Sequence, residues 1–449
     1  MTVHLRPTKG VLRIAAALEA AGFEAWCVGG AIRDALLGDA PLDWDLATPA
    51  TPEEVRSLFG RRRTIPVGIE FGTVKVLDEE GVPHEITTFR RDVKTDGRHA
   101  IVEFGASLDE DLARRDFTIN AIAYRPSTDE IRDPFGGRAD LTVGVVRAVG
   151  EAEQRMREDR LRALRAIRFA GRYDFQIETS TLAAIRSSAP HLVRLSRERV
   201  QQELVKTMEQ VRLPSRALRL WREAGALEVL IPALTGLDEV ALATLDELPR
   251  AREGAMARPQ RTLNRVAALF LDVEPADVRR EMVGLRFSKH ETVWAVALAD
   301  RWAAIGGEMT RALASGRPTD VQTRRWLARL GRLHAGAFLR VALARWTAMA
   351  AMRRPAPDES AVRSLHRRMR ASLFRDPIEL ADLRVTGDDL RRAGIPAGPI
   401  YAKILQALLE RVLEDPARNV PEVLLAELPN VVAALGQGGG STVQPSSEH

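Results

Sequence analysis

The sequence predicts an α+β fold in which an N-terminal mixed sheet is followed by an all-helical remainder. Up to about residue 150, short apolar or alternating runs typical of strands are interleaved with helical segments. Beyond that point the strand signals fade, and long Ala/Leu/Arg segments with helical spacing follow one another. A chain of 449 residues is also too long for one ordinary domain. We therefore expect several domains, the first built on a sheet and the others helical.

The N-terminal part contains predicted helices and strands in alternation. Helical periodicity covers Val11–Ala21 and ends at Gly22, and a second helix, Ala31–Leu37, follows Gly29-Gly30. The predicted strands are Glu24–Val28, Leu42–Ala47, Thr73–Leu77, His84–Phe89 and Val145–Val149. This interleaving predicts a mixed sheet with helices packed on it.

The later part of the chain consists of helical segments separated by proline and glycine. They are Gln154–Arg172, Thr181–Ser188, Arg197–Gln210, Ser215–Ala224, Glu291–Ala304, Arg324–Met352 and Ile400–Leu413. We place the sheet-containing part at residues 1–145, a first helical part at 146–212 and a larger one at 213–435. Residues 436–449 have almost no apolar content, which predicts disorder.

Composition excludes several classes of protein. Lys and Arg exceed Asp and Glu by 66 to 61, a mild basic excess that permits a polyanionic partner without requiring one. A single cysteine, Cys27, excludes an internal disulfide framework and a cysteine-rich zinc site. No apolar run is long enough to span a bilayer, and Arg13 and Glu19 interrupt the first apolar stretch. We expect a cytoplasmic protein without a membrane partner, and the composition leaves its oligomeric state open.

An acidic pair behind a glycine loop carries the clearest chemistry. Asp43 and Asp45 are two apart on a predicted strand, so their carboxylates point to one face, and such a pair suits Mg²⁺ bound together with substrate phosphates. Upstream, Gly29-Gly30 permits close approach of a ligand, and Arg33 lies in the first turn of the helix that follows. Together these features predict a nucleotidyl-transfer site in which Asp43 and Asp45 hold the metal. The alternative is an Asp-x-Asp turn or a solvated strand edge.

A third carboxylate is expected on a neighbouring strand. Glu85, within His84–Phe89, is the best-placed candidate for a catalytic role beside Asp43 and Asp45. A glutamate that merely faces solvent from a strand is an equally good interpretation.

Further motifs recur in order along the chain. They are Gly29-Gly30-x-x-Arg33-Asp34 with Asp43-x-Asp45, then Arg114–Ala121, Asp133–Gly137, Glu158–Arg162 and Ser196–Glu203. In this order they resemble the motifs of the bacterial class II tRNA nucleotidyltransferases (CCA-adding enzymes) and the related bacterial poly(A) polymerases. The resemblance implies a polymerase-beta-like nucleotidyltransferase head, a helical neck with the nucleotide-selecting motif, and a helical body and tail that bind tRNA. It also implies Mg²⁺ as the cofactor and CTP and ATP as substrates.

The fourth motif can be interpreted from base chemistry. Asp159 and Arg162 are three apart on a predicted helix and therefore share a face. A carboxylate accepts and a guanidinium donates hydrogen bonds, so the pair matches the pairing edges of cytosine and adenine and mismatches uracil and guanine. The alternative is an intrahelical salt bridge. Arg165 continues a series of arginines on the same predicted helix, with Arg155, Arg157, Arg160, Arg162, Arg168 and Arg172.

The second motif suits nucleotide binding through other groups. Arg115 can contact a phosphate or the selecting side chains, and Asp116 and Asn120 lie four apart, as hydroxyl-binding residues on one helical face do. Asp116 could instead cap a helix beginning at Phe117. Residues 90–98 form a predicted polar, mobile loop, which in the family accompanies the switch from C to A addition.

The resemblance implies template-independent addition of the 3′-terminal CCA to tRNA from CTP and ATP. Residues Gly68–Thr73 resemble the CCA-adding branch, because poly(A) polymerases carry a basic Arg-Phe segment there. The alternatives are an enzyme that adds only the terminal A, then a poly(A) polymerase, then an RNA-binding protein with an inactive head.

Overall fold

The computed structural model describes residues 5–41, 43–95, 100–249 and 259–437. Within these ranges the chain forms two compact units. The first contains the residues up to Gly236 together with Gly284–Phe287, and the second contains Leu237–Val283 and the residues from Ser288 onwards. The finer division at residues 145 and 212 stays a prediction. No helix in the described ranges combines the length and the apolar character that a membrane crossing requires.

The described part of the first unit contains all the strands. They are β1 Trp26–Val28, β2 Asp45–Thr48, β3 Thr64–Pro66, β4 Thr73–Leu77, β5 Pro83–Thr88, β6 Arg90–Thr95, β7 Ala100–Phe104, β8 Ala123–Arg125, β9 Glu130–Arg132, β10 Val145–Val146 and β11 Gln176–Ile177. The main sheet has the order β3-β4-β5-β2-β1-β8-β9. Only β2 and β5 are parallel neighbours within it, so the sheet is mixed, as predicted.

Helices cover this sheet and continue beyond it. They are α1 Lys9–Ala20, α2 Gly30–Leu36, α3 Pro52–Phe59, α4 Leu108–Ala113, α5 Gly137–Val143, α6 Ala152–Glu158, α7 Leu161–Tyr173, α8 Thr179–Ser188, α9 Arg197–Gln210, α10 Pro214–Glu223 and α11 Ala226–Leu230. A core cluster that includes Trp26, Ala47, Phe89 and Leu112 lies between the sheet and α4. Burial of these apolar side chains supplies the main driving force for docking the helix.

The described part of the second unit is helical. Its helices are α12 Glu239–Glu247, α13 Pro259–Leu269, α14 Pro275–Gly284, α15 Lys289–Arg301, α16 Gly307–Ser315, α17 Asp320–Ala351, α18 Glu359–Arg375, α19 Gly387–Arg392, α20 Ile400–Glu414, α21 Pro421–Ala426 and α22 Leu428–Gln437. Helix α17 is kinked at Gly331, whose φ of 70° lies in the left-handed region that favours glycine. Helix α22 extends to residue 437, and residues 438–449 of the predicted tail lie outside the described residues.

Two predicted strands differ from the structure. In the strand predicted over Leu42–Ala47, Leu42 lies outside the described residues and β2 begins only at Asp45. The buried Trp44 indole, which precedes β2, donates to the Pro41 carbonyl over 3.2 Å. The strand predicted over Val145–Val149 is limited to β10, which pairs with β11 outside the main sheet. The residues after β10 instead bond the segment around Phe117, through an isolated bridge to Ala148.

The loop predicted over residues 90–98 is also corrected. Its first part is β6, which pairs with β7 in an antiparallel hairpin that is separate from the main sheet. Residues 96–99 lie outside the described residues. An antiparallel partner that follows at short range satisfies the backbone groups of this polar segment, which the polar composition alone did not indicate.

The single helix predicted over Gln154–Arg172 is divided into α6 and α7. The break lies at Asp159, whose φ of −146° and ψ of 105° are extended rather than helical. Its carboxylate accepts a hydrogen bond of 3.0 Å from the Leu161 N–H at the start of α7. Aspartate side chains compete with the helical backbone in this way, and they start new helices where they do.

Candidate active site

Strand register brings two acidic side chains together at the centre of the main sheet. In the parallel pair of β2 and β5, Leu46 lies opposite Ile86, so Asp45 and Glu85 occupy adjacent positions one residue earlier. Both line the same cavity. Burial and the nearby Glu85 carboxylate raise the pKa of Asp45 to about 6, and Asp43 contributes in the same direction. This local excess of negative charge is the electrostatic setting that a divalent cation relieves.

Asp43 is placed differently from the expectation. It is exposed and precedes β2, so the predicted shared strand face does not apply to Asp43 and Asp45. It does not line the cavity that contains Asp45 and Glu85. Among the residues that the structure describes, no three acidic, histidine or cysteine side chains form a ready metal-binding group.

The glycine loop lies beside these carboxylates. Gly29 has a φ of 79°, and a Cβ built there would lie 3.2 Å from Arg115 Nη1. Glycine is therefore required both by the backbone conformation and by the close approach of a guanidinium. Arg115 is anchored by Asp111 over 3.2 Å, and its positive charge opposes the rise in the pKa of Asp45.

Arg33 is held more firmly than the sequence indicated. Its Nη1 donates to Asn120 Oδ1 over 2.5 Å and its Nε donates to Asp34 Oδ1 over 2.8 Å. The guanidinium carbon also lies 5.0 Å and 4.9 Å from the ring centroids of Phe169 and Tyr173 on α7. Arg33 thus connects α2 to α7 as well as lining the cavity.

Asp116 is the centre of a buried hydrogen-bond network. Its Oδ1 accepts from the Phe117 N–H over 2.9 Å and from Asn120 Nδ2 over 2.8 Å, and its Oδ2 accepts from Arg165 Nε over 2.7 Å. Although burial alone acts to raise it, the pKa of Asp116 is held below its usual value by Arg165 and Asn120. The helix predicted here is a single 3-10 turn, Thr118–Asn120, so Asp116 and Asn120 meet through that turn and not on a helical face.

Asp159 and Arg162 line the same cavity but do not share a helix. Asp159 Oδ2 accepts from Arg199 Nη2 over 2.7 Å, whereas Arg162 Nη1 donates to Glu158 Oε2 over 2.8 Å. Arg162 Nη2 donates to the Arg114 carbonyl over 2.9 Å. The predicted common helical face is therefore wrong, because the break at Asp159 separates the two residues. The alternative of a salt bridge between them is wrong as well, because in the described part of the chain the ion pairs of Arg162 and Asp159 are with Glu158 and Arg199 and not with each other.

One cavity of 610 Å³ unites most of the predicted residues. Its lining includes Gly29, Gly30, Arg33, Asp45, Glu85, Arg115, Asp116, Asn120, Asp159, Arg162 and Arg165. Nine basic side chains and four carboxylates line it among the described residues, so we call it the basic cavity. An excess of positive charge over an acidic centre suits a ligand that is a polyphosphate bound with a cation.

Sequence reasoning did not assign Thr73, Thr87, Arg90, Lys206 and Gln210, which also line the basic cavity. Thr73 and Thr87 are opposite each other on β4 and β5, with hydroxyl oxygens 3.3 Å apart. Lys206 and Gln210 lie one helical turn apart on α9, and this spacing is the signal that could have identified them. Arg168 and Arg172 extend the series on α7, whereas Arg155 and Arg157 lie on α6 and Arg160 lies at the break.

Two parts of the chain match known family models. Residues 25–147 match the family described as the poly A polymerase head domain, and residues 174–237 match a probable RNA and SrmB-binding site of polymerase A. A Leuconostoc mesenteroides CCA-adding enzyme is 50% identical over 193 residues, which cover 42% of this chain and 47% of that enzyme. The matched region therefore spans about half the length of this relative.

Other matches run through nearly the whole chain. In the solved structure of the Bacillus stearothermophilus CCA-adding enzyme in complex with CTP, the similar region covers 96% of this chain and 98% of that one, with 32% identity and a TM-score of 0.73. The Thermotoga maritima CCA-adding enzyme complexed with tRNA-CCA shares the fold at 22% identity, with a TM-score of 0.64 and coverage of 95% and 94%. These matches confirm the predicted fold class.

A relative of similar length settles the family. The Latilactobacillus sakei CCA-adding enzyme is 35% identical over 446 residues, which cover 93% of this chain and 94% of that enzyme. Because this alignment passes through nearly the whole of both chains, the chain belongs to the bacterial CCA-adding enzyme and poly(A) polymerase family.

Proposed function

We propose that this protein adds the 3′-terminal CCA to tRNA from CTP and ATP, without a nucleic-acid template and with release of pyrophosphate. The observation that carries the proposal is the basic cavity, in which the carboxylates Asp45 and Glu85 share one space with the selecting residues Asp159 and Arg162. The names of the relatives support the same activity, and they include CCA-adding enzymes solved with CTP and with ATP. We also propose a cytoplasmic location, which the single cysteine of the sequence favours.

Membership in a nucleotidyltransferase family implies a divalent metal, and we propose Mg²⁺. The donor set fits a hard cation, because Asp45 and Glu85 present carboxylate oxygens side by side and Asp43 is close enough to influence the pKa of Asp45. Asp43 and Asp45 would hold the metal, with Glu85 as the third catalytic carboxylate. When bound, the metal ion would supply Lewis-acid activation of the tRNA 3′-hydroxyl and would neutralise the charge of the leaving pyrophosphate.

We propose that the glycine loop and the basic side chains position the nucleotide. Gly29 leaves space beside Arg115 and Gly30 leaves space beside Arg33, and both guanidinium groups suit the triphosphate. Asp116 orients Arg165 and Asn120 towards the nucleotide by accepting hydrogen bonds from both. Correct positioning of the α-phosphate relative to the attacking hydroxyl accounts for a large part of the rate in this class of reaction.

We propose that Asp159 and Arg162 select the base. A carboxylate that accepts from the exocyclic amino group and a guanidinium that donates to the adjacent ring nitrogen match cytosine and adenine. Arg199 orients Asp159, and the hydrogen bonds to Glu158 and the Arg114 carbonyl orient Arg162. Uracil and guanine would leave buried polar groups without partners, and this mismatch is the source of discrimination.

The experiment that tests the proposal separates four outcomes. The purified protein is incubated with labelled CTP or ATP and with three tRNA transcripts. These transcripts lack the whole CCA, the final CA or only the final A. Completion of all three substrates is expected for a CCA-adding enzyme. Addition that is restricted to the transcript lacking only A indicates an A-adding enzyme. Long A tails on unrelated RNA indicate a poly(A) polymerase, and binding without incorporation indicates an RNA-binding protein. Each of these three results overturns the proposal.

A further inference from the structure

Helix α18 of the second unit carries an exposed face of unusual composition. The helix Glu359–Arg375 contains five arginines and one histidine but one acidic residue. Its buried side chains, Val362, Leu365, Met369 and Ser372, attach one face to the rest of the unit. The opposite face therefore decides what the helix presents to solvent.

Four exposed side chains form a continuous row on that opposite face. They are Arg363, Arg367, Arg370 and Phe374, spaced four, three and four residues apart, and we call them the basic stripe. Residues at these spacings are neighbours on a helical surface, and the row extends about 16 Å along the axis. His366 is exposed beside it.

The stripe contains positive charge that the described part of the chain does not neutralise. Arg363 pairs with Glu359 over 2.5 Å, and outside the row Arg368 pairs with Asp320 and Arg375 with Asp376. Arg367 and Arg370 have no ion pair with any described residue. Two neighbouring guanidinium groups without carboxylates are the usual arrangement for contact with phosphates.

Phe374 ends the row and is 80% exposed, more than any other large apolar residue in the described ranges. An aromatic ring that is held in water beside arginines offers a flat surface on which an unpaired base can stack. The combination of phosphate-binding charge and a stacking ring is the composition typical of RNA-binding surfaces.

We propose that the basic stripe is an RNA-binding surface, where Arg367 and Arg370 contact backbone phosphates and Phe374 stacks on an unpaired base of the substrate tRNA. This inference rests on the proposed function, because tRNA is the RNA substrate of the proposed reaction. It assigns to α18 a role in holding the substrate that is separate from the chemistry of the basic cavity.

The test measures binding of a tRNA transcript that lacks CCA, by fluorescence anisotropy across a series of salt concentrations. In Arg367→Gln/Arg370→Gln, we expect the affinity to fall about tenfold near physiological salt, and the salt dependence of log K to weaken by about 0.7 for each lost phosphate contact. In Phe374→Ala, we expect a loss of about fivefold or more with an unchanged salt dependence, and recovery in Phe374→Trp.

Matched controls remove similar groups from other surfaces of the second unit. Arg280→Gln removes an exposed arginine that pairs with Asp277, and Val293→Ala shortens an exposed apolar residue on α15. Both should bind tRNA as the unchanged protein does. Unaltered thermal unfolding of the stripe variants would confirm that their folds are intact, and Phe374→Trp keeps the aromatic test valid if Phe374→Ala is unstable.

Several results would overturn the proposal. Stripe variants that bind tRNA with the original affinity and salt dependence would do so, as would equal losses for tRNA, duplex DNA and anionic vesicles, which would indicate a general polyanion surface. If a second copy of the unchanged protein covered the basic stripe, the stripe would be a protein interface. Addition of C and A by the unchanged protein tests the proposed function, whereas tRNA binding by the stripe variants tests this inference, so failure of one is distinguishable from failure of the other.

Discussion

Arg165 on α7 binds Asp116 through two nitrogen atoms, with Nε and Nη2 each 2.7 Å from the same carboxylate oxygen. Asp116 in turn accepts from Asn120, and Asn120 accepts from Arg33. This series of charged and polar groups connects three elements, namely α2, the segment that follows α4, and α7. All four side chains line the basic cavity. Buried networks of this kind are strongly coupled, so removal of one member leaves its partners without hydrogen bonds.

The first prediction concerns the Arg165–Asp116 pair. In Arg165→Met we expect the free energy of unfolding of the first unit to fall by about 3 kcal/mol, because the Asp116 carboxylate would remain buried without its cation. Differential scanning calorimetry would measure the loss. The control, Arg157→Met, removes an arginine that pairs with Glu153 at the surface and should change the stability by less than about 1 kcal/mol.

The same pair predicts a dependence on pH. The pKa of Asp116 is lower in the folded protein than its ordinary value, so the contribution of its carboxylate to stability is complete above that ordinary value and is lost as the pH falls through the folded pKa. Arg165→Met should therefore reduce the acid sensitivity of unfolding below about pH 4. An identical acid profile in both proteins would contradict the role assigned to Arg165.

A second prediction concerns the paired carboxylates of the sheet. Asp45→Ala should abolish nucleotide addition, with a loss of about a thousandfold or more, and should leave tRNA binding nearly unchanged. Glu85→Gln should also reduce the rate substantially, because Glu85 lines the basic cavity beside Asp45. Rapid-quench measurement of single-nucleotide addition would detect both losses, and retained turnover in Asp45→Ala would refute the assignment.

A third prediction concerns selection of the base. Asp159→Ala and Arg162→Ala should reduce discrimination against UTP by about a hundredfold, since each removes one side of the hydrogen-bond pattern. Arg199→Ala should have a smaller effect in the same direction, because it releases Asp159 without removing its carboxylate. The readout is the ratio of kcat/KM for CTP and UTP. Discrimination that is unchanged in all three variants would remove the basis for a protein template.

A fourth prediction uses two glycines that both have a positive φ. Gly29→Ala should raise KM for CTP about tenfold, because the added methyl meets Arg115 Nη1 at 3.2 Å and displaces it from the loop. Gly38→Ala is the control, since Gly38 also has a positive φ, of 91°, but its Cβ would meet no atom within 4 Å. Equal effects of the two substitutions on KM would attribute the change to backbone strain alone.

The site was predictable where neighbours in sequence are also neighbours in space. The Gly29-Gly30 loop is an example, and so are the buried contacts between Asp116 and Asn120, four residues apart. The predicted helices themselves were wrong at several positions, including residues 116–120, where the chain forms a 3-10 turn, and Asp159. Asp159 shows this most clearly, because its carboxylate accepts the Leu161 N–H and divides the predicted helix. Periodicity cannot detect such a competition, since the pattern of apolar residues on either side of the break is unchanged.

By itself the sequence determined the fold class, the order of the five motifs and the identity of most residues around the basic cavity. Local periodicity, glycine placement and side-chain chemistry are properties of short segments, so they can be interpreted without knowledge of the fold. Only the tertiary structure decided that Asp45 is adjacent to Glu85, that Asp159 is held by Arg199, and that Lys206 and Gln210 reach the same cavity. These relationships depend on strand register and on the docking of separate helices, which are set by burial of apolar surface across distant parts of the chain.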